Sequence, residues 1–109
     1  MSESMEQILF VNWMRKTYKD HRIFHIPNGG SRNKIEAARL KNEGVSAGVP
    51  DLFIPSLRLF IEMKKTDGGI VSPEQTKWLE YLRHAGYGAE VCHGCEAAKD
   101  IIKIYLLKY

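Results

Sequence analysis

The stretch that most constrains the fold runs from residue 48 to residue 64, where two apolar runs are each tied to an acid. Asp51 opens the first run and Glu62 closes the second, with ten residues between the two acids. Because side chains alternate along a β-strand, Glu62 and Lys64 point to one side and the intervening residue points to the other. If the two runs pair as a hairpin that turns near Pro55-Ser56, Asp51 returns to lie beside Glu62 and Lys64.

Two carboxylates and an ammonium group at one end of a sheet suggest a metal-dependent site. Carboxylates that lie close together repel each other unless a cation sits between them. Mg²⁺ and Mn²⁺ take oxygen ligands, often one or two carboxylates together with substrate phosphate. A lysine beside such a metal can orient a water or offset charge that builds up on a phosphate. The alternative is a hairpin with a surface ion pair at its end, but the spacing favours the catalytic interpretation.

These residues resemble a known signature. The pattern Asp51-X10-Glu62-Met63-Lys64 resembles the signature of the PD-(D/E)XK nucleases. Other short motifs narrow the resemblance to one family, the VRR-NUC (virus-type replication-repair nuclease) domain, over a span from about Glu6 to about Ile101. The motifs that carry this resemblance, besides Glu6, are His25-Ile-Pro-Asn-Gly-Gly30, Gly48-Val-Pro-Asp51 and Ser72-Pro-Glu-Gln75 with Trp78.

The resemblance implies a role for each matching residue. Asp51 and Glu62 would hold one or two Mg²⁺ or Mn²⁺ ions, and Glu6 and the backbone carbonyl of Met63 would complete the metal site. Lys64 would position the attacking water or stabilise the transition state. The catalytic residues implied are therefore Asp51, Glu62, Lys64 and Gln75, and the metal ligands implied are Glu6, Asp51, Glu62 and Met63.

The resemblance also implies a substrate and an assembly. The expected activity is metal-dependent hydrolysis of DNA phosphodiester bonds, on branched DNA such as Holliday junctions, by a homodimer of phage or bacterial origin with a role in DNA repair. Two alternatives are a restriction-like or general nuclease acting on linear DNA and a catalytically silent nucleic-acid-binding module. The absence of a separate recognition domain argues against the restriction-like reading, and the intact Asp51, Glu62 and Lys64 argue against the silent module.

The first helix is predicted to run from Met5 to Lys19, with Ser4 and Gln7 forming a capping box. This places Glu6 on the apolar face of the helix, where an unpaired acid is costly. From the residues alone, the better explanation of Glu6 is a favourable interaction of an acid with the helix dipole in the first turn. Only the family resemblance turns Glu6 into a metal-site carboxylate.

The hydrophobic and polar patterns predict the element order αβαββαβα. Helices at both ends and a helix before the last strand imply a mixed sheet with helices on both faces, an α/β/α arrangement. The second and third strands form the hairpin, and the last strand joins in parallel through a crossover helix. At 109 residues the chain is expected to form one domain, residues 1–109.

The helix after the hairpin has a well-defined start. Ser72 is the predicted cap, Pro73 takes the first helical position, and Gln75 closes a capping box before the helix ends near Ala85. Gln75 also begins the core-facing stripe of this helix. It is therefore either a capping residue or a site residue that holds Lys64 or the water, and the resemblance favours the site.

Positive charge is concentrated upstream of the hairpin. The net charge is +3, and residues 1–50 hold eight basic and five acidic residues, whereas residues 51–109 hold eight of each. A mild basic excess fits a polyanionic partner. A loop rich in Gly and Asn can also bring backbone N–H groups close to a phosphate. The predicted nucleic-acid-binding residues are Asn28, Gly29, Gly30, Arg32, Lys34, Arg39 and Lys41, with an ordinary turn and a solvated surface as the alternatives.

The remaining features exclude several classes. Cys92 and Cys95 form a single Cys-X2-Cys, which lacks the second pair that a structural zinc site needs, so packing is favoured over a metal or redox role. No apolar stretch approaches the roughly 18 residues of a membrane span. We therefore expect a cytoplasmic protein with no membrane association and no organic cofactor.

Overall fold

The computed structural model describes residues 1–27 and 33–108. Within these residues the order of helices and strands is αβαββαβα, as predicted. The elements are α1 (Glu3–Thr17), β1 (Phe24–His25), α2 (Lys34–Asn42), β2 (Leu52–Ile54), β3 (Leu59–Lys64), α3 (Pro73–His84), β4 (Gly88–His93) and α4 (Cys95–Lys108).

The described strands form one mixed sheet in the order β1-β2-β3-β4. Strands β2 and β3 are the predicted antiparallel hairpin, with Leu52 opposite Ile61, and a short 3-10 turn over Pro55–Leu57 connects them. Strand β4 pairs in parallel with β3 after the crossover through α3. The α/β/α fold class is therefore confirmed.

The two faces of the sheet have different cores. On one face, Leu52, Ile54 and Ile61 pack with Phe10 of α1 and Ile102 of α4. On the other face α3 contributes Leu79 and Leu82, which pack over Ala89. Because β3 alternates, its odd-numbered residues enter the first core, and Phe60, Glu62 and Lys64 face the side that α3 covers.

Helix α1 begins two residues earlier than predicted. Ser2, not Ser4, is the N-cap: its backbone is extended and its hydroxyl accepts a hydrogen bond from the Met5 N–H. The predicted capping box of Ser4 and Gln7 is therefore wrong. The earlier start places Glu3 in the first turn, and this shift matters for the site.

The upstream elements are small and peripheral. Strand β1 has only two residues. Helix α2 buries none of its residues, and Ile35 on it is 86% exposed. Among the described residues, no helix is both long enough and apolar enough to cross a bilayer.

Both cysteines are buried and free. Cys92 lies in β4 and Cys95 opens α4, and both belong to the core between the sheet and helices α1 and α4. Burial, reinforced by the charge of Glu90, raises the pKa of the Cys92 thiol to about 12. A thiol held protonated in this way is suited to packing, as predicted.

Candidate metal and catalytic site

The hairpin register brings the two acids of the signature together. Asp51 directly precedes β2, and the pairing of Leu52 with Ile61 sets Asp51 across from Glu62. The Asp51 carboxylate accepts a hydrogen bond of 2.9 Å through Oδ2 from the backbone N–H of Met63. This bond fixes the carboxylate against β3. The Met63 carbonyl itself stays a predicted ligand.

Glu62, Lys64 and Gln75 form a buried polar network beneath the start of α3. Glu62 is 1% exposed and Lys64 is 7% exposed. The Lys64 ammonium lies 3.3 Å from Glu62 Oε2 and donates to Gln75 Oε1 at 3.1 Å. The Gln75 amide nitrogen donates to the same Glu62 oxygen at 2.9 Å. The lysine and the glutamate are therefore held in one geometry before any ligand binds.

Gln75 makes both sets of contacts that the sequence left open, those of a helix cap and those of a residue that holds Lys64. Its Oε1 accepts from the backbone N–H of Ser72 at 2.9 Å, and its own backbone N–H donates to the Ser72 hydroxyl at 3.2 Å. The predicted capping box is therefore present. The same side chain bridges Glu62 and Lys64, so the start of α3 and the polar network are built from one residue.

The electrostatics of Glu62 favour a cation. Its second oxygen, Oε1, is buried and has no hydrogen-bond partner among the described residues. Burial, followed by the nearby charge of Asp51, raises the pKa of Glu62 to about 7, although Lys64 acts in the opposite direction. Burial also raises the pKa of Asp51. A cation placed between the carboxylates would offset both costs.

A third carboxylate reaches the pair from α1, and it is Glu3. One oxygen from each of Glu3, Asp51 and Glu62 can be chosen such that all three lie within 4.8 Å of one another. The charge of Glu3 adds to the forces that raise the pKa of Glu62. Three acidic oxygens at this separation match the donor set of a hard divalent cation. We refer to Glu3, Asp51 and Glu62 as the carboxylate cluster.

Glu6, the acid predicted from the sequence to join this site, has other partners. Its Oε1 accepts from the backbone N–H of Cys95 at 2.9 Å, and its Oε2 accepts from the Thr66 hydroxyl at 2.9 Å. These hydrogen bonds lower the pKa of Glu6. Because Cys95 is the first residue of α4, Glu6 caps that helix from across the fold. The structure places Glu3 in the cluster instead, since α1 begins earlier than predicted.

Gly48 is a site residue that the sequence analysis did not single out for its role. Its φ of +90° favours glycine, and a Cβ added there would lie 2.7 Å from the carbonyl carbon of Glu74 and 2.9 Å from the Gln75 nitrogen. The loop that delivers Asp51 therefore packs directly against the start of α3. The glycine in Gly48-Val-Pro-Asp51 was the available signal, but its packing partner is distant in sequence.

The predicted nucleic-acid-binding residues divide into two groups. Asn28, Gly29, Gly30 and Arg32 lie outside the described residues. Lys34, Arg39 and Lys41 are exposed on α2, away from the buried network. Arg39 forms a surface ion pair of 3.2 Å with Glu43, which offsets part of its charge.

Two acids and a lysine carried by one hairpin, on a mixed sheet with helices on both faces, define the class of PD-(D/E)XK nucleases. Within this class, the model of the VRR-NUC domain family matches residues 2–96. The chain therefore belongs to the VRR-NUC family, whose members are nucleases, and nucleases of this type generally use a divalent metal ion.

A solved structure supports this assignment. The chain is similar to a protein described as a "VRR_NUC domain protein", with 31% sequence identity and a TM-score of 0.82. The similarity covers 97% of this chain and 88% of the other chain. None of the curated proteins compared with the chain matches it.

Proposed function

We propose that this protein is an endonuclease that hydrolyses DNA phosphodiester bonds at the carboxylate cluster, with Mg²⁺ or Mn²⁺ as the cofactor. The observation that carries the proposal is the buried Oε1 of Glu62, which has no hydrogen-bond partner within residues 1–27 and 33–108 and lies beside the carboxylates of Asp51 and Glu3. A site of this kind is electrostatically unfavourable alone and favourable with a cation. Asp51 and Glu62 would be the principal ligands, with Glu3 as the third acid and the Met63 carbonyl as a further donor.

The protein's own residues supply the remaining chemistry. A bound divalent cation lowers the pKa of a coordinated water and offsets charge on the phosphate. The Lys64 ammonium, held by Glu62 and Gln75, can donate a hydrogen bond to the attacking water or to the phosphoryl oxygen on which charge develops. Because these partners fix Lys64 in advance, little reorganisation is needed when the substrate binds. Gln75 acts as a positioning residue for both charged groups.

We propose further that the substrate is branched DNA and that the protein acts as a homodimer. Specific protein–DNA complexes bury roughly 1,000–2,500 Å² of protein surface, which is large for a chain of this size. A two-fold dimer would double the surface and present two active sites to two strands. Phe24, which is 47% exposed, and the unburied helix α2 offer apolar side chains for such an association.

The direct test is a cleavage assay on plasmid, linear duplex, flap and four-way-junction DNA, each with Mg²⁺, Mn²⁺ or EDTA. We expect metal-dependent cutting with the junction cut fastest, and a dimer in light scattering during chromatography. A monomer that cuts linear duplex as fast as the junction would leave only a general DNA nuclease. DNA binding without any cutting would leave a silent binding module and refute the proposed activity.

A further inference from the structure

A groove runs along the outer side of α1, beside the strand that follows it. It consists of two adjoining concavities, with volumes of about 290 Å³ and 300 Å³, which share Arg15 as a common wall. We call the two concavities together the α1 groove. The first concavity is lined by Gln7, Ile8, Val11, Asn12, Arg15 and His25. The second is lined by Arg15, Tyr18, Lys19, His21, Arg22 and Ile23.

The charge of the α1 groove has one sign. Arg15, Lys19 and Arg22 carry fixed positive charges. None of the described residues that line the two concavities is acidic. A concave surface lined by charge of one sign focuses the electrostatic potential and attracts ions of the opposite sign. The expected ligand is therefore a polyanion.

One end of the α1 groove lies beside the backbone of Asp51. His25 lines the first concavity, and its Nδ1 lies 2.9 Å from the backbone carbonyl oxygen of Asp51. Gln7 Nε2 lies 3.2 Å from the same ring nitrogen. A chain that fills the groove would thus lead directly to Asp51.

The walls of the second concavity are held in place. Arg15 donates a hydrogen bond to the carbonyl oxygen of Ile23 at 3.3 Å, which ties α1 to the segment before β1. His21 Nδ1 lies 2.7 Å from the Ser56 hydroxyl, and its ring packs edge-on against Tyr18. A pre-formed wall loses little conformational entropy when a ligand binds. Lys19 and Arg22 remain exposed at the far end.

The dimensions fit several nucleotides. The helix between Gln7 and Arg15 advances by about 12 Å at 1.5 Å per residue. The backbone of a DNA strand follows a longer path than its rise of about 3.4 Å per phosphate along the helix axis, so the helical part of the groove spans a short run of consecutive phosphates. The second concavity extends this length past the end of α1.

We infer that the α1 groove binds the phosphate backbone of the DNA strand that leads away from the scissile phosphate. This inference rests on the proposed nuclease function and adds the path of the substrate. Lys19 and Arg22 contact backbone phosphates at the far end, Arg15 lines the middle, and His25 lines the end beside Asp51. This path differs from the α2 surface and the loop at 28–32, which the sequence analysis favoured.

The test is DNA binding by a Lys19→Gln/Arg22→Gln double variant, measured as fluorescence anisotropy of a labelled oligonucleotide in EDTA, where no cutting occurs. The matched control is Lys103→Gln/Lys108→Gln, which removes the same charge from α4. At about 50 mM salt we expect the groove variant to bind roughly tenfold or more weakly, and its plot of log K against log[salt] to lose about 0.9 in slope per lost phosphate contact with duplex DNA. The control should differ from the wild type by less than about twofold.

A second measurement locates the contact on the DNA. Neutral methylphosphonate linkages are placed one at a time on either side of the cleavage position. In the wild type they should weaken binding over a short run of consecutive positions on one side, and in the Lys19→Gln/Arg22→Gln variant the outer positions of this run should no longer matter. Equal binding by the groove variant and the control would overturn the inference, as would interference that the variant leaves unchanged.

The outcomes for the groove and for the nuclease activity are separable. If the wild type cuts no DNA but the groove variant alone binds weakly, the proposed activity fails and the groove stands. If the wild type cuts DNA and the groove variant binds as the control does, the activity stands and the groove is refuted. Circular dichroism of the exposed-site variants should match the wild type, because Lys19 and Arg22 are exposed.

Discussion

Folding shifts the pKa values of two buried carboxylates, Glu6 and Glu62, in opposite directions. Glu6 is 8% exposed and Glu62 is 1% exposed. Both Glu6 oxygens accept hydrogen bonds from neutral donors, and its pKa is lowered. Glu62 has one oxygen without a partner among the described residues, a second acid beside it, and a pKa raised to about 7.

This difference distinguishes a carboxylate with a structural role from one that belongs to a functional site. Glu6 supplies charge to the start of α4 and is satisfied by the folded chain itself. Glu62 is left with negative charge that the chain does not fully compensate, because burial and the charge of Asp51 outweigh the effect of Lys64. Uncompensated charge in a pre-formed polar cluster is typical of a functional site. We therefore expect Glu62 to matter for metal binding and cleavage, and Glu6 to matter for stability.

The largest effect is expected on cleavage. Asp51→Asn and Glu62→Gln should each slow DNA cutting by about a thousandfold or more, because neutral amides attract a divalent cation poorly. Lys64→Ala should have an effect of similar size, since it removes the donor to the reacting groups. Initial rates on a labelled junction, with circular dichroism to verify folding, would measure this. Wild-type rates in all three variants would refute the proposal that DNA is hydrolysed at the carboxylate cluster.

The next effect separates the two functions of Gln75. Gln75→Ala removes both the capping interaction and the bridge between Glu62 and Lys64, whereas Ser72→Ala removes only the capping side. Both variants should lose about 1 kcal/mol of stability from the weakened cap. Only Gln75→Ala should also slow cleavage, by roughly 10- to 100-fold. Thermal unfolding and cleavage rates, measured on the same samples, separate the two roles of Gln75. Equal cleavage rates in Gln75→Ala and Ser72→Ala would assign Gln75 to capping alone.

A third prediction contrasts the two acids of α1. Glu6→Ala should lower Tm by about 5–10 °C, because the Cys95 N–H and the Thr66 hydroxyl lose their acceptor. Glu3→Ala should leave Tm nearly unchanged without metal and weaken Mn²⁺ binding by roughly tenfold. Differential scanning fluorimetry with and without Mn²⁺ gives both values. If the Glu6→Ala variant kept its stability and lost its Mn²⁺ affinity, Glu6 would be a metal ligand and not a structural acid.

The sequence was sufficient for the hairpin chemistry because strand periodicity is local. Once Asp51 and Glu62 flank a hairpin of this length, pairing sets them opposite each other. The Ser72 cap was equally local, since its partner lies three residues away. The same limit applies to Glu6. Whether an acid on α1 faces the cluster or the start of α4 depends on Cys95 and Thr66, which are distant in sequence.

The α1 groove was not predicted for a related reason. Arg15, Lys19 and Arg22 are among the eight basic residues of positions 1–50. A count of charges along the sequence does not show which of these residues line the same concave surface. Their alignment depends on how α1 lies against the segment before β1, a contact fixed by Arg15 and the Ile23 carbonyl. The exposed residues of α2 were equally basic in sequence and line neither concavity of the groove.

The fourth prediction concerns pH. Because folding raises the pKa of Glu62 from 4.5 to about 7, the folded protein binds this proton more tightly than the unfolded chain. The resulting stabilisation is present below about pH 4.5 and is lost as the pH rises through 7, by about 3 kcal/mol at most. Asp51 acts in the same direction. The lowered pKa of Glu6 has the opposite sign, with stability lost as the pH falls below the usual range.

Urea unfolding of the metal-free protein at several values between pH 4.5 and 8 measures this slope. The Glu62→Gln variant should lose most of the decline over this range and be more stable than the wild type at pH 8, since its side chain does not titrate. Glu6→Gln is the control and should keep the decline. An unchanged slope in Glu62→Gln would show that Glu62 does not carry the uncompensated charge.

The most direct measurement is calorimetric titration of Mn²⁺ into the metal-free protein at pH 8, for the wild type, Glu62→Gln and Glu6→Gln. We expect measurable binding by the wild type and by Glu6→Gln, and binding weakened by about a hundredfold or more in Glu62→Gln, which loses both charge and a ligand oxygen. Equal affinity in the wild type and Glu62→Gln would show that the carboxylate cluster is not a cation site.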